Sequence, residues 1–356
     1  MHTNDIVYMR RCLQLAANGR GRVSPNPMVG AVVVCDDEII GEGFHRQYGK
    51  AHAEVNAINS VKDKSLLSRS TIYVSLEPCS HYGKTPPCSQ LIIDSKIPKV
   101  VVATLDPYHK VSGRGIKMLR EAGAEVVIGV LEKEAQELNK EFFVSQTEER
   151  PYIYLKWAQT SDGFIDKVRI KGEPVVPTPI SNEQTKILVH KLRAEVDAIM
   201  IGTNTAINDN PSLTTRLWSG NNPVRIVLDR SRRIPTNYHL FDNIVKTILF
   251  TENIENAGSS ENVEFIYREF GKCLIMNILK ELNERKINSV LVEGGASLLQ
   301  SFIDIGAWDE ARLEYAGHRF GGGVKAPVIK GEIVETLLVK DSFSVHLKNT
   351  EKYKIL

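Results

Sequence analysis

Four residues in the first third of the sequence have the types and the spacing of a catalytic zinc site. His52 begins the stretch HAEVNAINS, and Glu54 follows it by two positions. Cys79 and Cys88 lie in the later stretch SLEPCSHYGKTPPC, each directly after a proline. Imidazole and thiolate both suit Zn²⁺, and a catalytic zinc keeps three protein ligands and one position for water. We therefore predict that His52, Cys79 and Cys88 bind zinc.

Glu54 is the predicted catalytic residue beside that metal. Zinc lowers the pKa of bound water from about 15.7 to about 7, so that hydroxide is available at neutral pH. A second group must then carry the proton to the leaving group. The stretch HAEVNAI predicts a short helix that begins at His52, and the Glu54 carboxylate in its first turn can face the bound water without ligating the metal. The alternative is a purely structural zinc with His81 as its fourth ligand.

These motifs resemble the zinc nucleobase deaminases, whose signature joins H-x-E to P-C-x-x-C. The longer loop here, residues 80–87, is similar to the deaminase half of the bifunctional riboflavin-biosynthesis deaminase/reductase family. SPNPMVGAVVV, from Ser24, and DPYHKVSGRGI, from Asp106, resemble two more segments of that family. The resemblance implies a small-molecule substrate, a diamino-ribosylamino-pyrimidinone 5′-phosphate, which loses one ring amino group as ammonia.

Four further residues are candidates for contacts with that substrate. The resemblance implies that Asn26 and His45 lie near the base and the ribose. We expect Lys84, between the two cysteines, to supply a cation for the phosphate, and His81 is a candidate for a phosphate or ribose contact.

The second half of the chain lacks the G-x-G-x-x-G dinucleotide motif after a strand. IMIGTNTAINDNPSLTTR, from Ile199, and SVLVEGGASLLQ, from Ser289, resemble instead the reductase half of the same family, which implies NADPH and reduction of the ribosyl group to ribityl. The residues assigned to the cofactor are Gln159, Thr205, Asp209, Gly295, Ala296, Ser297, Leu298, Leu299, Gln300 and Ser301. The residues assigned to the substrate are Lys156, Arg193, Leu213, Arg216 and Glu293.

Two segments depart from the reductase pattern. Residues 161–163 read Ser-Asp-Gly where the family has Leu-Asp-Gly, and residues 179–182 read Pro-Ile-Ser-Asn where it has Trp-Ile-Thr-Ser. One alternative is therefore a deaminase with a non-catalytic C-terminal binding or oligomerisation module. The other is a deaminase of free or tRNA nucleobases, which the net charge of +2 and the long loop between the cysteines oppose.

Alternating strands and helices must position these residues. VGAVVVCDDEIIGEGF predicts a hairpin that turns at Asp36–Asp37, and residues 132–146 predict one helix. The polar stretch TEERP predicts a boundary between a deaminase domain, residues 1–147, and a reductase domain, residues 151–356. The expected fold class is α/β, with a cytidine-deaminase-like three-layer αβα domain followed by a dihydrofolate-reductase-like α/β domain.

Composition bounds the remaining possibilities. Apolar residues make up 42% and charged residues 25% of the 356 positions, which is usual for a globular protein. We expect a cytoplasmic protein, since the start of the chain does not read as a signal peptide. The net charge of +2 gives no support for nucleic acid as a partner, and no apolar run is long enough to cross a membrane. We also expect a homo-oligomer. The odd cysteine count argues against a disulfide framework, and we expect Cys12, Cys35 and Cys273 to be buried.

Overall fold

The computed structural model describes residues 3–81, 86–108, 112–168, 178–255, 258 and 260–351. The chain divides into two compact units, Met1–Arg150 and Pro151–Leu356. Each unit combines helices with a β-sheet, which confirms the predicted α/β class. Among the helices within these ranges, none is both long and apolar enough to cross a bilayer.

The N-terminal unit contains a five-stranded sheet with the order β2-β1-β3-β4-β5. Its strands are β1 (Gly30–Cys35), β2 (Glu38–Phe44), β3 (Thr71–Val74), β4 (Lys99–Val102) and β5 (Glu125–Ile128). Its helices are α1 (Thr3–Ala17), α2 (Ala53–Ser60), α3 (Cys88–Asp94), α4 (Arg114–Glu121), α5 (Glu132–Leu138) and α6 (Lys140–Thr147), with a 3₁₀ helix at Lys64–Arg69. β1 is antiparallel to β2 and to β3, whereas β3, β4 and β5 are parallel.

Alternation along the strands divides the apolar residues of this sheet between two helical layers. Val32 and Val34 face α1 and α5, as do Tyr73 and Val101, and Cys12 of α1 is buried among them. The intervening strand residues pack against α2, α3 and α4, and they include Ala31, Val33, Ile72, Val74, Val100 and Val102. Because successive side chains of a strand point to opposite faces, this arrangement gives the predicted three-layer αβα domain.

The hairpin between β1 and β2 turns where the sequence predicts. Asp36 and Asp37 have φ values of 51° and 62°, so both lie in the left-handed region. Two such residues form the tight turn whose twist matches that of antiparallel strands, and Asp tolerates this conformation better than most residues do.

The prediction of one helix over residues 132–146 is wrong. α5 and α6 are separate helices that meet at Asn139, whose backbone leaves the helical region with φ −109° and ψ 23°. The Asn139 side chain is buried and hydrogen-bonds to the backbone of Met28, far away in the sequence. A tertiary contact therefore interrupts a segment whose local pattern is helical.

The C-terminal unit is built on a nine-stranded sheet with the order β11-β10-β9-β8-β12-β6-β13-β16-β15. Its strands are β6 (Tyr152–Thr160), β8 (Ala198–Gly202), β9 (Val224–Leu228), β10 (Thr247–Thr251), β11 (Val263–Tyr267), β12 (Ser289–Glu293), β13 (Glu310–Ala316), β15 (Glu332–Val339) and β16 (Ser342–Lys348), while β7 (Phe164–Asp166) and β14 (Val324–Lys325) form a separate pair. Its helices are α7 (Glu183–Glu195), α8 (Thr203–Asp209), α9 (Leu274–Glu284) and α10 (Ala296–Asp304), with a 3₁₀ helix at His239–Phe241.

The first seven strands in the sheet order, from β11 through β10, β9, β8, β12 and β6 to β13, run parallel to one another. β16 and β15 add an antiparallel edge next to β13. α9 and α10 cover one face through Leu282, Leu299 and Phe302, which pack on β6 and β12. The carboxyl ends of parallel strands are the usual place for ligand sites in such sheets. Cys273, which directly precedes α9, is exposed, so the prediction of its burial is wrong, whereas Cys12 and Cys35 are buried as expected.

Candidate functional sites

The three predicted zinc ligands converge in the N-terminal unit. His52 directly precedes α2, Cys88 is the first residue of α3, and Cys79 lies in the loop between β3 and α3. The Nδ1 atom of His52 is 3.7 Å from Cys79 Sγ and 3.4 Å from Cys88 Sγ. Within the part of the chain that the structure describes, these three residues form a group whose ligand atoms all lie within 4.8 Å of one another. This spacing fits one tetrahedral metal ion.

The electrostatics of the cluster favour a thiolate. A hydrogen bond from the Cys88 side chain, and after it one from His52, lower the pKa of the Cys79 thiol below its ordinary value. The backbone N–H of Cys88 also donates to Cys79 Sγ at 3.3 Å. Since the thiolate is the form that binds metal, the donor set fits Zn²⁺. His81 is exposed and does not belong to the cluster of ligand atoms, which leaves a fourth position for water or substrate.

Glu54 is buried in the first turn of α2, beside the cluster. Burial, and secondly the charge of Cys79, raise the pKa of Glu54 to about 7. Glu54 lines the same cavity as His52, Cys79 and Cys88. A carboxyl group at this place can take up or release a proton next to the metal without being one of the clustered ligands.

A cavity of about 670 Å³ opens beside the cluster, and Asn26, His45 and His81 line it. Lys84 lies outside the described residues. The Ala51 carbonyl oxygen is 3.1 Å from His45 Nδ1, and the Asn26 amide nitrogen is 3.2 Å from His45 Nε2. Because a carbonyl can only accept, Nδ1 carries the proton and Nε2 accepts from the Asn26 amide. Burial lowers the pKa of His45, which favours the neutral imidazole.

Two acidic residues at this site received no role from the sequence. Buried Glu77 accepts hydrogen bonds from the backbone N–H groups of Gly113 at 2.9 Å and Gly115 at 3.0 Å. Asp106 lines the cavity. The sequence signal for Glu77 is its place directly before Pro78 and Cys79. Its hydrogen bonds join the zinc loop, which is the connection between β3 and α3 that carries Cys79, to the start of α4.

The glycine pair of the C-terminal unit lies at the end of β12, where the chain turns into α10. Gly294 and Gly295 have φ values of 80° and 72°, a conformation that glycine adopts without strain. A Cβ atom on Gly295 would lie 3.1 Å from the Thr205 hydroxyl oxygen, and one on Gly294 would lie 2.9 Å from the Thr205 methyl carbon. Glycine therefore leaves the backbone and Thr205 open to a ligand, which fits a cofactor phosphate at a helix N-terminus.

The remaining residues assigned to the cofactor have varied surroundings. Asp209 ends α8, and residues 296–301 form the first two turns of α10. Leu299 is buried in the core, so only its backbone is available to a ligand. Gln159 accepts a hydrogen bond from the Trp157 indole at 2.8 Å, and Gln300 is held by Asp304 and Val328.

Arg193 and Glu293, which the sequence assigns to the substrate, contact each other. Arg193 Nη2 lies 2.6 Å from Glu293 Oε2, and both side chains are largely buried. Lys156 is the neighbour of Glu293 across the paired strands β6 and β12. Burial opposes the ionisation of Glu293, but the pKa of its carboxyl lies below the ordinary value. The charge of Arg193 and the hydrogen bond from Arg193 lower this pKa most, and the charge of Lys156 lowers it further. Two cations and one carboxylate therefore lie together at the carboxyl end of β12.

Leu213 and Arg216 lie in the loop that follows α8. Leu213 is buried and has a φ of 53°, while Arg216 is exposed. The backbone N–H of Arg216 donates to His190 Nδ1 at 2.9 Å, and the Arg216 side chain donates to the Thr214 hydroxyl at 2.8 Å. His190 lies one turn before Arg193 on α7, so this helix holds both the ion pair and the loop.

The sequence interpretation missed a buried cation that anchors the same loop. Arg225 on β9 has no exposed surface. Its guanidinium donates to the carbonyl oxygens of Ser212 at 3.0 Å and His239 at 2.8 Å, and it pairs with Asp242 at 2.8 Å. Pairing and hydrogen bonding on all sides are what a fully buried charge requires.

Comparison with known proteins agrees with both halves of the interpretation. Residues 2–104 match the family described as the cytidine and deoxycytidylate deaminase zinc-binding region, and residues 151–354 match the RibD C-terminal domain. The riboflavin biosynthesis protein RibD of Aquifex aeolicus is 41% identical over 90% of this chain and 89% of its own length.

Solved structures give the same result. The diaminohydroxyphosphoribosylaminopyrimidine deaminase/5-amino-6-(5-phosphoribosylamino)uracil reductase of Thermotoga maritima superposes with a TM-score of 0.86 at 38% identity, covering 97% of this chain and 99% of its own. RibD of Acinetobacter baumannii superposes with a TM-score of 0.88 at 30% identity, covering 98% and 99% of the two chains. This chain therefore belongs to the RibD family of riboflavin biosynthesis proteins.

Proposed function

We propose that this protein catalyses two consecutive reactions of riboflavin biosynthesis. The N-terminal unit hydrolytically deaminates a diamino-ribosylamino-pyrimidinone 5′-phosphate, and the C-terminal unit reduces the ribosyl group of the product to ribityl. The cofactors are zinc and NADPH, respectively. The observation that carries the proposal is the cluster of His52, Cys79 and Cys88 beside buried Glu54, at the wall of a cavity.

In the deaminase, we assign the zinc to His52, Cys79 and Cys88. When bound, the metal makes hydroxide available at neutral pH. The Glu54 carboxylate receives the proton of the attacking water and delivers it to the ring amino group, which leaves as ammonia. The burial of Glu54 supports this role, because it raises the pKa of this carboxyl to about 7, so that the group can both accept and release a proton near neutral pH.

Recognition of the pyrimidinone depends in this proposal on Asn26 and His45. Since one Asn26 amide N–H donates to His45 Nε2, the acceptor oxygen Oδ1 and the second N–H remain for the substrate. That oxygen can accept from an amino group or a ring N–H of the substrate. Lys84 is assigned to the phosphate, and His81, which lines the cavity, is assigned to the phosphate or the ribose.

In the reductase, we assign NADPH to Gln159, Thr205, Asp209 and the run from Gly295 to Ser301. NADPH, when bound, supplies the hydride that reduces C1 of the ring-opened ribosyl imine. Lys156, Arg193, Leu213, Arg216 and Glu293 are assigned to the substrate. The Glu293 carboxylate fixes the direction of the Arg193 guanidinium, exposed Arg216 is available for the phosphate, and Lys156 can protonate the opening ribose.

The test is a pair of half-reaction assays combined with metal analysis of the purified protein. Ammonia release is measured with the pyrimidinone phosphate, cytosine, guanine and tRNA as substrates. We expect turnover of the pyrimidinone phosphate alone, and its absence would overturn the proposal. Titration with NADPH, followed by fluorescence, should show saturable binding. If no binding occurs at millimolar NADPH, the C-terminal unit is a non-catalytic module.

We also infer that the protein is a homo-oligomer of the cytoplasm. The edge strand β15 supports a second copy as partner, since Leu338 is 67% exposed and Ile333 is 64% exposed on a strand that ends the sheet. Five free cysteines support a reducing compartment.

A further inference from the structure

We propose that Asn139 is a positioning residue of the deaminase site, a role that rests on the proposed function. Asn139 stands between α5 and α6, and its side chain makes no capping hydrogen bond to α6. The oxygen and the nitrogen of its side-chain amide bind instead to the backbone of one distant residue. Oδ1 accepts from the backbone N–H of Met28 at 2.7 Å, and Nδ2 donates to the Met28 carbonyl oxygen at 2.9 Å.

This pairing is well placed to fix the backbone of Met28. An amide side chain that accepts from N–H and donates to C=O satisfies both polar groups of the residue at once. The pair is buried, because Asn139 is 2% exposed and Met28 packs with Ala16, Val23 and Leu138. Since water cannot replace a partner there, breaking either bond leaves an unpaired buried polar group.

Met28 directly follows the segment that lines one wall of the deaminase cavity. Asn26 and Pro27 precede it, Val29 follows it, and all three line the cavity. Phe142, three residues beyond Asn139, lines the same cavity from α6. The break between α5 and α6 thus joins two parts of the wall, one on each side of the Asn139–Met28 pair.

The pair also supports the relay that orients Asn26, by which we mean the two hydrogen bonds that His45 makes with Val29 and with Asn26. The backbone N–H of His45 donates to the carbonyl oxygen of Val29 at 2.9 Å, and the His45 ring accepts from the Asn26 amide. A shift of Met28 would move both neighbours of this relay, Asn26 on one side and Val29 on the other. Asn139 does not line the cavity, so it acts through these residues and not by contact with substrate.

The experiment compares Asn139→Ala and Asn139→Asp with Ser70→Ala in the full-length protein. Asn139→Ala removes both hydrogen bonds, whereas the nearly isosteric Asn139→Asp places a second acceptor against the Met28 carbonyl. Ser70→Ala is the matched control, because it removes a buried bond of 2.7 Å to the Leu66 carbonyl in the same unit, away from the cavity. Each protein is assayed for zinc content, for deamination of the pyrimidinone phosphate and for NADPH-dependent reduction.

We expect the KM for deamination to rise about tenfold or more in Asn139→Ala, with a smaller change in kcat, because small displacements of positioning groups cost up to about 10²-fold. Zinc content and reductase activity should stay at the level of the unmodified protein, and Asn139→Asp should be affected more strongly. An unchanged KM in Asn139→Ala, or an equal rise in Ser70→Ala, would overturn the proposal. If the unmodified protein deaminates nothing, the proposed function fails instead. Faster hydrogen exchange of the Met28 amide in Asn139→Ala gives an independent readout, and unchanged protection of that amide would also count against the pairing.

Discussion

The hydrogen bonds of Glu77 allow one prediction with a worked magnitude. Its Oε2 atom accepts from the backbone N–H groups of Gly113 at 2.9 Å and Asp106 at 3.3 Å. Its Oε1 atom accepts from those of Gly115 at 3.0 Å and Ile116 at 3.5 Å. Glu77→Gln replaces one of these oxygens by an amide NH₂ group, which cannot accept. Whichever way the new amide turns, one short and one long hydrogen bond are lost.

The cost follows from the burial of these donors, since Gly115 and Ile116 are buried and Gly113 and Asp106 are half-buried. An unsatisfied buried donor costs about 1–3 kcal/mol, and the longer bond contributes at the lower end, so the free energy of unfolding should fall by about 2–4 kcal/mol. For a unit of this size, about 2–4 °C is lost per kcal/mol, which gives a decrease in Tm of about 5–15 °C. Because Glu77 lies two residues before Cys79, bound zinc should also be lost at a lower chelator concentration.

The assay is thermal unfolding followed by zinc release, with Glu42→Gln as the control. Glu42 makes an ion pair with Arg11 at 2.6 Å on the surface of the same unit, and both side chains are substantially exposed. The same change of charge there should cost about 0–1 kcal/mol. If Glu77→Gln and Glu42→Gln shift the transition equally, the four backbone bonds do not stabilise the zinc loop and the reasoning is refuted.

Three further predictions concern the two sites and the edge of the large sheet. Glu54→Gln should keep its zinc by metal analysis but lose deamination by about 10²-fold or more, and loss of the metal would show that Glu54 is a ligand. The folded-state pKa of Glu293 lies below the ordinary value of about 4.3, so its pair with Arg193 stabilises the fold above that pH and is lost as the pH falls through the folded-state pKa. Acid unfolding should therefore be less steep in Glu293→Gln, and an identical pH profile would contradict the ion pair. Leu338→Lys should lower the molar mass seen by sedimentation, whereas an unchanged mass would exclude β15 as the interface.

Local signals in the sequence were enough to predict the zinc cluster and the strands around it. The stretches HAEVNAI and TPPCSQLIIDS each predict a helix, and His52 and Cys88 lie at the starts of the two helices observed there. Packing of both helices on one face of the sheet brings the ligands together. The Asp36–Asp37 turn is equally local, since two residues with positive φ define the hairpin. The reductase motifs located Gly294 and Gly295 in the same way, at a strand-to-helix turn.

Features that depend on distant partners could not be predicted in this way. Asn139 breaks a helical pattern because of Met28, and no local property of residues 132–146 reports that contact. β15 is exposed at almost every position, so it lacks the alternation by which a half-buried strand is recognised, and no strand was predicted there. The pairing of Arg193 with Glu293 likewise joins side chains that lie far apart in the sequence.

The buried guanidinium of Arg225 bears on how this enzyme can be re-engineered. The guanidinium donates to the carbonyl oxygen of Ser212, which is next to the substrate-assigned Leu213. It also donates to the carbonyl oxygen of His239 and to the carboxylate of Asp242, which lie in the connection between β9 and β10. A substrate loop grafted from a relative must therefore place a carbonyl oxygen where Ser212 has one, because otherwise one N–H donor of this buried cation is left unpaired. Chimeras that exchange the loop together with β9 and residues 239–242 keep every group that pairs with this guanidinium in one block.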